Sequence, residues 1–410
     1  MLVLAVLIFT VTLVFFYFSK EWRRPKISFG LYRNDTVVPT SDSEVRHLRK
    51  HKWMLYNVPP ENTCMIQLRG CDVRVRKGLT FTPYADAVKC PAHCKFCSEE
   101  LERPSEVEAR ANGRPTKLEL IGSLQKKEGM YDSYFASLRA FFTDLRRSQF
   151  SVGLSLSGLE PTAEITWMHR MIELVKEFRD VIDERVVYTN GYGFAAAPEV
   201  LIPLFRSAGW NRIELSRQHY KERKNQKIMR FHAKSEIRFQ RAYENVVRSL
   251  LGAGLHVKNS CILSQEGVCD LDDVEEYVMY ARSLGIHHVV FRELSRFTED
   301  DYVRNETSTW CAQNRVPVES LMVAAYERPS RWRLLHCTIG YYYYHEEYEF
   351  NGDVRVLLEC SSYERQEELL ALNASIVDKL VMHSNGDVTS HWYPDRDIVT
   401  RYPLEDKLSW

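Results

Sequence analysis

Between Leu79 and Glu293 the chain alternates short β-prone runs with longer amphipathic ones, and this alternation constrains the fold more than any other feature. Six runs read as strands: Leu79–Tyr84, Phe150–Leu156, Arg185–Thr189, Arg212–Ser216, His256–Leu263 and His288–Glu293. Apolar residues at helical spacing fill the gaps, as in Asp132–Arg147, Glu164–Phe178, Glu236–Leu251 and Leu271–Leu284. Parallel strands need a crossover of roughly a dozen residues or more, which these segments supply. The pattern therefore predicts an α/β protein built from βα units. A doubly wound open sheet and a barrel both generate it, and in both the chemistry collects where strands end at their carboxyl side.

The loop after the first run reads Lys89-Cys-Pro-Ala-His-Cys-Lys-Phe-Cys-Ser98. Three thiolates this close, on Cys90, Cys94 and Cys97, can hold three corners of a cubane iron–sulfur cluster and leave the fourth iron without a protein ligand. A protein that withholds one ligand keeps a metal position for something else to bind. A structural zinc on the three cysteines and His93 is the alternative, although His93 directly abuts Cys94, which is poor geometry for one shared ion. Disulfides fit badly, since such close partners strain the bridge and Cys64, Cys71, Cys261, Cys269, Cys311, Cys337 and Cys360 show no framework spacing. No Cys-x2-Cys pair occurs in the last third of the chain, so a single cluster is expected.

Three further segments end predicted strands: Ser157-Gly-Leu-Glu-Pro-Thr162, Tyr188-Thr-Asn-Gly191 and Ser216-Arg-Gln-His-Tyr220. The Cys-x3-Cys-x2-Cys spacing with Phe96 before the last cysteine, together with the Gly158, Glu160 and Pro161 run, resembles the radical S-adenosylmethionine (radical SAM) superfamily. Leu159 stands where that family has a second glycine. The resemblance implies a (βα)6 partial TIM-type barrel, a 4Fe-4S cluster on Cys90, Cys94 and Cys97, and S-adenosylmethionine (SAM) bound by the open iron and by Gly158, Glu160, Asn190, Ser216 and Arg217. It further implies an enzyme that cleaves SAM to a 5'-deoxyadenosyl radical, which abstracts hydrogen from a substrate, with an electron donor of the flavodoxin or ferredoxin-reductase type. The barrel segments are also similar to those of the molybdenum-cofactor and peptide-modifying branches, and the substrate is not named by any of them. A noncatalytic adaptor on the same scaffold, with Leu159 marking a decayed SAM site, is the reading from a different class.

The fifth run is unusually polar for a parallel strand, carrying Lys258, Asn259, Ser260 and Cys261. Alternation sends either Lys258 and Ser260 or Asn259 and Cys261 into the cavity, and in the second case Cys261 is a candidate hydrogen donor to a substrate radical. His219 is a candidate proton donor. Arg292 and Glu293 are expected at the mouth, either with Arg292 recognising a carboxylate or phosphate or as a plain Arg-Glu surface pair.

Lys+Arg and Asp+Glu both number 55 among 410 residues, so no basic surplus argues for a nucleic-acid partner. Residues 1–18 carry no charge. At ~1.5 Å per residue they would make a helix about 27 Å long, enough for a thin hydrocarbon core. Lys20, Arg23, Arg24 and Lys26 follow, which predicts a single-pass transmembrane helix with the catalytic domain in the cytoplasm, at the endoplasmic reticulum membrane in a eukaryote. The sequons at Asn34, Asn305 and Asn373 would then stay unglycosylated. The expected divisions are an anchor over 1–19, an extension over 20–70, the partial barrel over 71–297 and a C-terminal extension over 298–410. Residues 98–130 read as an insertion after the cysteine loop. Asn351-Gly352 and Asn385-Gly386 each mark a β-hairpin, and the two hairpins are expected to form a small C-terminal sheet.

Overall fold

The computed structural model describes residues 35–53, 57–85, 88–101, 130–296, 305–340, 342–394 and 396–402. The apolar segment 1–18 and most of the 98–130 insertion lie outside these residues. Among the described residues no helix is long and apolar enough to cross a membrane.

The strands in chain order are β1 (Asp35–Val37), β2 (Thr63–Leu68), β3 (Cys71–Tyr84), β4 (Val152–Leu156), β5 (Ile182–Thr189), β6 (Arg212–Ser216), β7 (Val257–Ile262) and β8 (His288–Arg292). The C-terminal region adds β9 (Trp332–Ile339), β10 (Tyr343–Phe350), β11 (Val354–Ser361), β12 (Val377–His383), β13 (Asp387–Thr389) and β14 (Ile398–Arg401). Each of the six runs expected from the sequence is a strand, and β3 to β8 lie side by side in chain order as one parallel sheet. β3 begins earlier than its apolar run suggests, because it first pairs antiparallel with β2 in a hairpin. That turn falls on the line drawn between the extension and the barrel.

The helices used below are α1 (Met130–Arg147), α2 (Ile165–Glu177), α3 (Glu222–Met229), α4 (Gln240–Gly252), α5 (Leu271–Ser283), α6 (Glu306–Asn314), α7 (Val318–Tyr326) and α8 (Tyr363–Leu372). Their buried stripes repeat at helical spacing, as in Tyr243, Val246, Val247 and Leu250 of α4 or Leu271, Val274, Tyr277, Val278 and Ala281 of α5. Each large apolar side chain buried this way stabilises the fold by roughly 1.5–3 kcal/mol. Caps fix where the helices begin: the Asp270 carboxylate accepts from the Asp273 amide at the start of α5 (2.8 Å), and Asn305 and Ser308 cap α6 reciprocally. Asn305 and a buried Asn373, whose amide bonds Val58 and Leu369, are both committed to internal hydrogen bonds.

The two Asn-Gly hairpins form where the sequence places them, but they do not make a sheet of their own. β10 and β11 turn at Asn351–Gly352, and β11 pairs in parallel with β8. β12 and β13 turn at Asn385–Gly386, and β12 pairs in parallel with β3. Turn chemistry fixes only local pairing, whereas β3 and β8 would otherwise be the bare edges of the parallel sheet. The C-terminal region thus extends that sheet at both ends, to the order β1-β9-β10-β11-β8-β7-β6-β5-β4-β3-β12-β13-β14.

Candidate functional site

A cavity of about 1000 Å³ opens at the carboxyl ends of the six parallel strands. Tyr84 ends β3, Ser157 to Leu159 follow β4, and Thr189 and Asn190 lie at the end of β5; Ser216 and Gln218 follow from β6, Ser260 and Ile262 from β7, and Arg292 to Ser295 from β8. Cys90, Cys94 and Cys97 line the same cavity.

The cysteine loop has almost no regular structure, and its shape comes from a second segment. The His93 and Lys95 amides donate to the carbonyls of Arg230 (3.3 Å) and Ile228 (3.0 Å), the His232 amide donates to Pro91 (2.9 Å), and the Arg230 guanidinium donates to the His93 carbonyl (2.7 Å). The end of α3 and the turn after it therefore hold the loop over the cavity. Cys90 Sγ accepts from the Ala92 amide at 3.4 Å and from Asn190 Nδ2 at 3.5 Å.

Burial pushes both the Cys90 and Cys94 thiols up, with Glu160 adding to the first and Cys97 to the second. Thiols held protonated are poor nucleophiles, so a cation is what would make thiolates of them. Among the described residues no three of Cys90, His93, Cys94 and Cys97 bring their ligand atoms within 4.8 Å of one another. Thiolates on a single tetrahedral zinc stand about 3.8 Å apart, given Zn–S bonds of about 2.3 Å. Three cysteines on one loop can hold three corners of a cubane and leave one iron open.

Gly158 has φ 137°, a region that favours glycine, whereas Leu159 is not among the positive-φ residues. The substitution at 159 is therefore compatible with the turn. Its side chain packs against the buried cluster of Tyr84 and Val381, as does Trp392. Gly191, at φ 87°, turns the chain after Asn190, and a Cβ there would meet Leu215 at 3.0 Å.

Glu160 and Arg217 take positions other than those expected of cofactor contacts. Glu160 is buried and outside the cavity lining. One carboxylate oxygen accepts from the Thr162 amide (3.1 Å) and the hydroxyls of Thr162 (2.5 Å) and Thr189 (2.6 Å), and the other accepts from the Asn190 amide (2.6 Å). It is a strut between the end of β4 and the end of β5. Arg217 points the other way, into the helix layer, where it lies 4.5 Å over the Tyr243 ring and donates to Gln240 (2.5 Å).

The register of β6 against β7, with Ser216 opposite Ser260, decides which half of the polar strand faces inward. Lys258 and Ser260 share the inner face, while Asn259 takes a hydrogen bond from Tyr243 (2.8 Å) and Cys261 lies near the Gln218 carbonyl (3.5 Å) among the helices. Cys261 is thus not a hydrogen donor to anything in the cavity. His219 is also fully buried and outside the cavity lining; burial, with Lys224 and Lys221 nearby, lowers its pKa to about 4, so it is neutral and not a proton donor near pH 7.

At the cavity wall, Arg292 donates to Ser260 (2.7 Å), Glu359 (2.7 Å) and Glu214, and Lys258 Nζ stands 4.0 Å from Glu214. Burial alone would raise the Glu214 carboxyl, yet Arg292 and Lys258 draw it down to about 2. Burial lowers Lys258 to about 8 despite Glu214. Arg292 is therefore an interior guanidinium tied by two carboxylates, not a surface ion pair. Glu293 turns instead to Arg315 (2.7 Å) and the Val318 amide (3.1 Å).

The sequence gives no hint of the far wall. Asn305 to Thr307 at the start of α6, Tyr363 at the start of α8, and Trp392 complete the cavity. Tyr84 donates to the buried Glu99 just after the cysteine loop. Cys311 of α6 packs in an apolar cluster with Phe96 of that loop.

No family model matches the chain, and no curated protein matches it. Among solved structures, the chain is similar to SuiB of Streptococcus suis bound to S-adenosylmethionine, at 12% identity and a TM-score of 0.46 over 85% of this chain. It spans 63% of the SuiB chain. It is also similar to anSMEcpe with bound AdoMet, at 12% identity and a TM-score of 0.42 over 79% of this chain and 77% of that one. A third is TsrM, a radical S-adenosylmethionine methyltransferase from Kitasatospora setae with cobalamin and a [4Fe-4S] cluster bound, at 14% identity and a TM-score of 0.33 over 53% of this chain and 36% of that one. The residues of the cavity, rather than these likenesses, carry the functional reading that follows.

Proposed function

We propose that this chain is a radical SAM enzyme. The observation that carries the reading is the cavity itself: three thiols from one loop, a positive-φ Gly158 and Asn190, all gathered where parallel strands end at their carboxyl side. Cys90, Cys94 and Cys97 would hold a 4Fe-4S cluster with one open iron. The cluster and SAM together supply a 5'-deoxyadenosyl radical able to take a hydrogen atom from a substrate.

The chain's own residues position and seclude. Arg230 and the turn after α3 fix the cysteine loop, and Glu160 fixes Asn190 against Cys90. Gly158 leaves room for the backbone to approach a ligand, and Ser216 offers a hydroxyl at the cavity wall. Leu159, Tyr363 and Trp392 line the cavity with apolar and aromatic surface that would separate a reactive intermediate from the bulk solvent and the reductants dissolved in it. One cavity draws on both Tyr84 of β3 and Arg292 of β8. A flat sheet would hold the first and last of six strands about 24 Å apart at about 4.8 Å per strand, so a sheet rolled into a partial barrel accounts for the lining. The uncharged segment 1–18, followed by four cationic residues, tethers this enzyme to a membrane with the catalytic unit on the cytoplasmic side.

The test is chemical. The anaerobically reconstituted protein should hold about four irons and four sulfides per chain, and dithionite with SAM should yield 5'-deoxyadenosine by chromatography. Cys94→Ala should lose both while keeping the wild-type circular dichroism spectrum. A full complement of iron in Cys94→Ala, or zinc in place of iron in the wild type, would refute the assignment.

A further inference from the structure

A chain with equal numbers of cationic and anionic residues concentrates positive charge in one place. From Lys221 to Arg238 there are seven lysines and arginines against two glutamates. Arg223, Lys224 and Lys227 are exposed on α3, with Lys227 three residues after Lys224 and four after Arg223, the spacings that make helix side chains neighbours, while Asn225, Ile228 and Met229 are buried. Lys221, Arg230 and Lys234 continue the exposed charge beyond both ends of the helix.

Two carboxylates answer part of it. Glu266 bridges Lys95 (2.9 Å) and Lys227 (3.2 Å), and Glu306 stands 3.5 Å from Arg230. Among the described residues Arg223, Lys224 and Lys234 have no acidic partner.

This surface is not an arbitrary one, because the same segment holds the cysteine loop through the carbonyls of Ile228 and Arg230. Met229 and Arg230 also line the cavity. The C-terminal end of α3 and the turn after it thus stand between solvent and the cysteine loop.

We propose that the outer face of α3 and the turn after it, carrying Arg223, Lys224 and Lys234, is the docking surface for a small acidic one-electron carrier that reduces the cluster on Cys90, Cys94 and Cys97. The proposal rests on the functional reading above and adds to it the place where the electron enters. One electron leaves the reduced iron–sulfur centre of the carrier and enters the cluster; no bond forms or breaks, and no proton moves. Charge complementarity of this kind sets the encounter rate more than the final affinity, and salt weakens it.

The full chain in detergent, reconstituted anaerobically, is mixed in a stopped-flow cell with a reduced acidic two-iron ferredoxin at 50 and 500 mM salt, and cluster bleaching is followed. Dithionite replaces the ferredoxin in a parallel series, and ferredoxin binding is measured separately by titration calorimetry. The combined variant Arg223→Glu/Lys224→Glu/Lys234→Glu should slow ferredoxin-driven reduction at least tenfold at low salt and weaken ferredoxin binding, with the dithionite rate unchanged. High salt should slow the wild type toward the variant. Equal ferredoxin rates for wild type and variant, or a wild-type rate indifferent to salt, would overturn the docking surface. Failure of dithionite to reduce the wild type would instead overturn the cluster reading beneath it.

Discussion

Glu160→Gln separates a structural strut from a cofactor contact. In the native protein the Glu160 carboxylate takes four hydrogen bonds, from the Thr162 amide, the Thr162 and Thr189 hydroxyls and the Asn190 amide. Burial raises its pKa and these four donors oppose the rise, so the bonds are what make a buried carboxylate tolerable. Glutamine keeps one carbonyl oxygen, which can still serve the three donors from Thr162 and Thr189. Its NH2 group then confronts the Asn190 amide, donor against donor. One bond to a charged group, worth about 1.5–3 kcal/mol, is lost, and a buried donor is left unpaired. A loss of about 2–4 kcal/mol follows, and in a unit as large as Tyr32–Trp410 each 1 kcal/mol moves the melting point by only about 1 °C. The apoprotein, with neither iron nor SAM present, should therefore melt about 2–5 °C lower, as read by differential scanning fluorimetry. If Glu160 instead served chiefly to bind the amino group of SAM, the apoprotein would melt unchanged and only SAM affinity would fall. An unchanged apoprotein melting point would refute the strut.

Two other sites give independent checks. Arg292→Met removes the partner of Glu214 and Glu359 and leaves both carboxylates in the interior, which should cost about 3–5 kcal/mol in urea unfolding; an unaltered midpoint would contradict the interior network. His219, with its pKa lowered to about 4 by burial, binds fewer protons folded than unfolded over the range down from the ordinary value of about 6.5. Its contribution to stability is therefore present above pH 6.5 and is lost as pH falls toward 4, and His219→Gln should flatten that part of the stability curve measured by chemical denaturation. A pH slope identical in wild type and variant would show that His219 titrates normally.

The parallel strands were legible because strands buried on both faces are ordinarily apolar and end in turn residues; the polar fifth run, with Lys258, Asn259 and Ser260, was placed by its position in the alternation instead. The cysteine loop and the Gly158 turn were legible as chemistry, since few other uses exist for three such close thiols. The orientation of Arg217 was within reach of the sequence: Arg212, Glu214 and Ser216 alternate inward along β6, so the next residue faces the helices. Glu160 was not, because the short turn Pro161–Ala163 rotates its side chain away from the cavity toward Asn190. The same holds for Tyr363 and Trp392, which reach the cavity only because the C-terminal strands join both edges of the sheet. No local pattern records that long-range pairing.

The measurement closest to the central claim is low-temperature EPR of the reconstituted, dithionite-reduced protein, recorded without and with SAM. An open iron beside Gly158 and Asn190 predicts a cubane-cluster signal whose g-values shift when SAM is added. A signal that SAM leaves unmoved would contradict the account and favour an adaptor with a structural metal, and the absence of any cluster signal would return Cys90, Cys94 and Cys97 to another role.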